Sequence, residues 1–365
     1  MLAPIPLPAG IRSRIAPGIN GLDIHFLDAG EEGKPLLLLL HGFPELAYSW
    51  RKVMLPLAQA GWRVVAPDQR GYGRTTGWDG DYDGDLASYR VPNLVRDVLG
   101  LAQHLGYRTV DCVVGHDFGV EVAAWSGLLR PDIFKSVVIM SGPFAGPPPL
   151  GLKRDDSIHA ALAALPRPRK HYQWWYSTRE ANPNMWRARQ GVHDFLRAYY
   201  HHKSADWKDN KPFPLKGWTA EELAKMPTYY IMDLADGMAE TVAKEMPSGE
   251  APWLTEEELR VYSSEFERTG FQGGLQWYRI RTQAVQLTDL EIFAGRTIDV
   301  PAAYIAGASD WGIHQRPGAL ERMPKTGFSR MRDIHLIPGA GHWVQQEQPG
   351  EVCRRLLAFL QARSG

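Results

Sequence analysis

Cysteine is scarce in this chain: there are two, Cys112 and Cys353, far apart on apolar stretches. Their placement excludes a disulfide framework and lacks the close spacing of a cysteine metal site. Long apolar runs are missing too. The longest, Leu36–Leu40, falls far short of the ~20 residues that span a bilayer. Neither sign of charge dominates, since 41 Lys and Arg balance 41 Asp and Glu to a formal net charge of 0. With the basic residues dispersed, no nucleic acid is expected as a partner. The opening MLAPIPLPAGIRSR is broken by proline and has no apolar stretch that would serve as a signal peptide. A soluble, cytoplasmic protein is expected. No internal repeat or low-complexity tract is present.

What remains is a chain of 365 residues with 44% hydrophobic content, enough for one large core or a core with an insertion. Short apolar runs at 24–27, 36–40, 63–66, 112–115 and 137–140 read as strands, and 91–105 and 120–129 read as helices. Continuous apolar strands alternating with helices predict a largely parallel sheet covered on both faces. After Pro147-Pro148-Pro149 the texture changes to Trp, Tyr and charge without strand runs. Helices are expected there over 156–164, 183–201, 219–225, 236–245, 255–268 and 272–287. Strands return at 302–306 and 334–337, followed by a closing amphipathic helix over 350–362. The expected organisation is a core from 1–144 and 296–365, interrupted by a helical cap over 145–295.

A further absence is local. Val113-Val114-Gly115-His116-Asp117-Phe118-Gly119 has the strand, the glycine-flanked turn and the following helix of a nucleophile elbow, but no serine at its apex. Asp117 stands there instead. A turn aspartate often does no more than make local hydrogen bonds. In a parallel sheet, however, this turn lies beyond the carboxyl ends of the strands, where ligands bind. A carboxylate held clear of the turn can attack an electrophilic carbon and form an ester. Hydrolysing that ester requires a base and a group to orient it, in the chain order nucleophile, acid, histidine. Asp310, just past one strand, and His342, in the loop after the next, supply that order. The segment His41-Gly42-Phe43-Pro44-Glu45 would bring the Phe43 N–H beside that of Phe118 as an oxyanion hole. His41 and His116 are expected to bridge loops.

Four segments in this order, HGFPE (41–45), DQRGYG (68–73), GHDFG (115–119) and GAGHWVQQEQP (339–349), resemble the α/β-hydrolase superfamily and, within it, the epoxide hydrolases. The resemblance implies an α/β-hydrolase core with a helical cap, and two cap tyrosines that grip the epoxide oxygen. Tyr172, in Lys170-His171-Tyr172-Gln173-Trp174-Trp175, resembles the first, with Tyr176 as an alternative. Tyr278, in Gly273-Gly274-Leu275-Gln276-Trp277-Tyr278-Arg279, resembles the second. Trp175, Trp277 and Tyr176 would line the substrate site. The implied reaction opens an apolar or aromatic epoxide to a vicinal diol with water, without metal or cofactor, and a homodimer stays open. Phe118 departs from the tryptophan that many members carry after the nucleophile.

Three rival functions differ in what they require. A haloalkane or haloacid dehalogenase would use the same aspartate but needs N–H donors for halide, which Phe118 lacks and Trp175 or Trp277 would have to replace. An esterase would form an anhydride with Asp117. A non-catalytic small-molecule receptor on this fold would not need a complete triad.

Overall fold

Runs of aliphatic residues buried on both sides account for the centre of the sheet, which is seen in a computed structural model describing residues 2–153 and 156–362. The core strands before the insertion are β1 (Ile11–Ile19), β2 (Leu22–Ala29), β3 (Leu36–Leu40), β4 (Arg63–Pro67), β5 (Cys112–His116) and β6 (Val137–Met140). Two short strands, β7 (Arg169–His171) and β8 (Ile231–Asp233), pair only with each other, and β9 (Ala302–Gly307) and β10 (Met331–Ile337) complete the main sheet. Its order is β1-β2-β4-β3-β5-β6-β9-β10. The first two strands run antiparallel, and from β4 to β10 every pairing is parallel.

Helices α1 (Arg51–Gln59), α2 (Val91–His104) and α3 (Gly119–Leu129) connect these strands. One apolar cluster packs α1 and the closing helix Pro349–Ala362 on one face, and a second packs α2 and α3 on the other and continues into the insertion. The carboxyl ends of β3, β5, β6, β9 and β10 therefore open on a common rim, and the chain between β6 and β9 lies over it. It contains α4 (Ser157–Ala163), α5 (Tyr172–Tyr176), α6 (Ala181–Trp186), α7 (Gly191–Lys203), α8 (Ala220–Leu223), α9 (Met238–Ala243), α10 (Glu256–Thr269), α11 (Gln272–Thr282) and α12 (Leu287–Glu291).

Three expectations need correction. The insertion is not free of strand, because β7 and β8 cross it with Arg169 opposite Asp233. The helix expected over 183–201 is broken by Arg187–Gln190 into α6 and α7, and α7 begins on Gly191 at φ 78°. Strand β1 and helix α1 were not foreseen. Six of the nine residues of β1 are exposed, as on a wet edge, and α1 carries Pro56. No helix among the described residues is long and apolar enough to cross a membrane.

Candidate active site

Asp117 sits between β5 and α3 at φ 53°, a left-handed conformation that costs a non-glycine residue free energy and lifts its side chain out of the turn. The turn closes only because its flanks lack side chains. A Cβ on Gly115 would stand 2.1 Å from the Gly119 carbonyl oxygen, and one on Gly119 would stand 2.2 Å from that of Leu40. From the β3 loop, the Phe43 N–H donates to Asp117 Oδ1 at 3.0 Å. The Phe118 N–H makes no hydrogen bond to this carboxylate among the described residues. Gly42 lies against it so closely that a Cβ there would fall 2.2 Å from Asp117 Cβ.

His342 reaches both carboxylates. Its Nε2 is 3.4 Å from Asp117 Oδ2 and its Nδ1 is 3.2 Å from Asp310 Oδ1. Burial works against ionisation of Asp117, but His342 foremost, with Lys203 and His116 further off, holds it well below the usual carboxylate range. Asp310 is fully buried, which alone would raise its pKa. His342, the Ser141 hydroxyl and the Gly312 N–H more than offset this and bring it to about 2. Ser141 was not anticipated. It follows β6 at φ 80°, donates its Oγ–H to Asp310 Oδ2 at 2.5 Å and sits 3.1 Å from His342 Nδ1. The Tyr304 hydroxyl donates to its carbonyl.

The backbone behind His342 is tied to the insertion. Its N–H donates to the Lys203 carbonyl at 2.9 Å. Glu347 accepts the N–H groups of Gly341 at 2.8 Å, Trp343 at 2.9 Å and Ala205 at 2.8 Å, so one carboxylate clamps the histidine loop and the end of α7 together. The Lys203 ammonium is buried among the rings of Tyr199, Tyr229, Tyr230 and Trp343, which gives Tyr229 and Tyr230 a place in the packing.

His41 and His116 bridge loops. His41 Nε2 accepts the Gln69 N–H at 3.1 Å. His116 lies between Glu45 Oε2 at 2.6 Å and the His342 carbonyl at 2.7 Å. Burial disfavours the charged imidazole, yet the Glu45 carboxylate outweighs it and pushes His116 up to about 8. Because this pKa exceeds the ~6.5 of an unfolded histidine, the stabilisation is complete below about pH 6.5 and is lost as pH rises through 8. The melting temperature of the wild type is therefore expected to fall more steeply between pH 6.5 and 8.5 than that of Glu45→Gln. Parallel slopes in thermal scans would show that His116 does not gain its proton on folding.

Above Asp117 lies a cavity of about 620 Å³. Its walls include Tyr172, Tyr278, Trp277, Trp174, Phe118 and Ser141, with Val91, Leu94, Trp125, Phe144 and Leu287 further out. The Tyr172 and Tyr278 rings are 5.9 Å apart, at 74°. Burial, with the Asp117 carboxylate adding to it, pushes both phenols above their ordinary value, so both remain proton donors. The Tyr172 hydroxyl donates to Gln315 Oε1 at 3.1 Å, whereas that of Tyr278 has no hydrogen-bond partner among the described residues. Tyr176 and Trp175 are not part of this lining. Tyr176 is buried behind it, with its hydroxyl bonded to that of Tyr199 at 3.3 Å, and Trp175 packs against Tyr176. Trp174 takes the place expected for Trp175. Trp277 does line the cavity, but its indole N–H is committed to the Arg70 carbonyl at 2.9 Å.

Residues 35–349 match the family model described as the alpha/beta hydrolase fold. The chain is 34% identical over 355 residues to Epoxide hydrolase A of Mycobacterium tuberculosis, covering 93% of this chain and 95% of that one. It is 31% identical over 345 residues to Epoxide hydrolase 2 of Siraitia grosvenorii, covering 93% and 96%. Among solved structures, Epoxide Hydrolase A from Mycobacterium thermoresistibile superposes with a TM-score of 0.76 at 33% identity, covering 96% of this chain and 98% of that one. Potato (Solanum tuberosum) epoxide hydrolase I does so with a TM-score of 0.74 at 29% identity, covering 96% and 99%.

Proposed function

The chain belongs to the epoxide hydrolases of the α/β-hydrolase fold, and on that premise we propose that it converts an epoxide to a vicinal diol through an ester on Asp117. The observation that carries this reading is one cavity with Asp117 on its floor, His342 and Asp310 in line behind it, and two protonated phenols on its walls. An Asp117 oxygen attacks an epoxide carbon and the carbon–oxygen bond of the ring breaks. The leaving alkoxide is a strong base, and Tyr172 or Tyr278 gives it a proton. His342, held by Asp310 on its other nitrogen, then takes a proton from water, and the resulting hydroxide attacks the ester carbonyl carbon. The Phe43 N–H, joined by that of Phe118 as the carboxyl group turns, stabilises the oxyanion. Collapse expels the second alkoxide of the diol, which takes the hydroxyl proton of the tetrahedral species and leaves Asp117 as a carboxylate, while the proton on His342 returns to the phenolate. The aliphatic and aromatic walls suit an apolar or aromatic body on the substrate. The division into a core of 1–144 and 296–365 and a cap of 145–295 belongs to the same proposal.

A dehalogenase is disfavoured by the same walls. Phe118 has no side-chain donor, the Trp277 N–H is occupied, and Trp175 is off the cavity. A single turnover of styrene oxide in oxygen-18 water tests the mechanism. The label is expected in Asp117, since water attacks the carboxyl carbon. Label found only in the diol would mean direct attack of water on the epoxide.

A further inference from the structure

Ser141 holds a backbone conformation that its side chain makes costly. Its φ of 80° lies in the left-handed region that glycine occupies freely and other residues rarely. The backbone is pinned there from β9: the Ser141 N–H donates to the Ile305 carbonyl at 3.2 Å, and its own carbonyl accepts the Tyr304 hydroxyl. Glycine would make both of these bonds without strain. Such strain persists where the surroundings impose it, and it clusters at functional sites. Four described residues other than glycine have a positive φ, and Asp117 is another of them. The hydroxyl accounts for the serine. It is the one hydrogen-bond donor to Asp310 Oδ2 among the described residues, whereas Oδ1 takes both the Gly312 N–H at 2.7 Å and His342 Nδ1 at 3.2 Å. With its single proton on Asp310, the Ser141 oxygen turns its lone pairs towards His342 Nδ1, 3.1 Å away. The Nδ1–H is thus shared between a carboxylate oxygen and a hydroxyl oxygen. Room for the hydroxyl is kept by Gly312, where a Cβ would fall 2.6 Å from Ser141 Oγ.

We propose that Ser141 is a positioning residue for the second half of the reaction: its hydroxyl holds the Asp310 carboxylate and the His342 ring to each other, so that Nε2 stays aimed at the water that cleaves the Asp117 ester. This rests on the ester mechanism and adds to it a residue beyond nucleophile, acid and base. The need for it arises in that step. While Asp117 is a carboxylate, His342 has a charged partner on each side, Asp117 Oδ2 at 3.4 Å and Asp310 Oδ1 at 3.2 Å. Esterification takes the charge from Asp117, and the ring loses its partner on the Nε2 side when Nε2 must hold its aim. The Nδ1 side alone then sets the ring, and two acceptors there fix its orientation better than one. The Ser141 proton also satisfies Asp310 Oδ2, which is buried and would otherwise be left unpaired at a cost in free energy.

Single-turnover mixing with styrene oxide, followed by intact-protein mass spectrometry, separates ester formation from ester decay. Ser141→Ala and Ser141→Gly both remove the hydroxyl. Each is expected to slow ester decay about tenfold or more, the usual worth of a hydrogen bond to a charged group, and to slow ester formation much less. The two differ in the backbone. Glycine relieves the left-handed strain and alanine keeps it, so Ser141→Gly should melt at the higher temperature. The expected pattern is therefore similar ester decay in two variants of unequal stability, which a purely structural role would not produce. Decay at the wild-type rate in Ser141→Gly would overturn the proposal, since glycine keeps the turn and loses only the hydroxyl. So would equal slowing of both steps, or decay rates that follow the melting temperatures. An ester that never forms in the wild type would instead remove the mechanism on which this role rests, and the role with it.

Discussion

Protein carrying His342→Gln and mixed with excess styrene oxide is expected to gain the mass of one substrate and then stop. The reasoning is that ring opening needs an ionised Asp117 and a phenol, and neither is removed. The imidazole is the strongest influence keeping Asp117 ionised, but Lys203, His116 and the Phe43 N–H remain after the change. Ester cleavage, in contrast, loses its base. General-base assistance is typically worth ~10²–10⁴-fold, so steady-state turnover should drop by at least about 10² while the adduct accumulates in intact-protein mass spectrometry. The His342 N–H that binds the Lys203 carbonyl belongs to the backbone and survives the substitution, so the loop should stay in place. Folded protein without turnover and without adduct would mean that His342 is needed for ring opening itself. Asp310→Asn should slow the same second step by presenting an amide N–H to Nδ1 and favouring the wrong tautomer.

The double change Tyr172→Phe with Tyr278→Phe should nearly abolish ring opening, because the alkoxide would form with no proton source beside it. Each single change leaves one donor, so each should slow the first step substantially, within the ~10²–10⁴-fold span of general-acid assistance, without silencing it. Cleavage of a preformed ester should be much less affected. The internal control is Tyr176→Phe, expected to be close to wild type, since that hydroxyl bonds to Tyr199 behind the cavity wall. Single-turnover kinetics read these steps separately. If Tyr176 proves essential and Tyr172 silent, the donor moves by one helical turn. Full epoxide activity in all three single variants would bring back the dehalogenase reading, with halide release from alkyl halides as its check.

The strands that position the site were legible because burial on both faces forces unbroken aliphatic runs: β3 and β6 have the limits expected from Leu36–Leu40 and Val137–Met140. Asp117, Asp310 and His342 could be read as a set because each follows such a run, and the glycines around the first mark a turn with no room for side chains. Ser141 could not be found this way. A serine at the end of a strand carries no pattern, and its contact with Asp310 depends on the left-handed backbone of that one residue. Trp174 and Trp175 were exchanged for a geometric reason. A helix turns once in 3.6 residues, so neighbours point ~100° apart, and the five residues of α5 are too few to show which side faces inward. Tyr176 fell on the wrong side of the wall for the same reason.

The seam between α7 and the histidine loop bears on how this enzyme family can change its substrate. Exchanging the covering segment for that of a relative would seem a simple way to recast specificity while keeping the chemistry. Here the histidine backbone hangs on the Lys203 carbonyl, and Glu347 grips Ala205 together with Gly341 and Trp343. A transplanted segment that ends α7 half a residue differently would shift the base, not just the walls. Such chimaeras should therefore fail first in releasing the product, accumulating alkylated protein even where the new substrate is accepted. Preserving residues 203–205 as part of the core, and cutting outside them, is the graft boundary that the molecule itself marks.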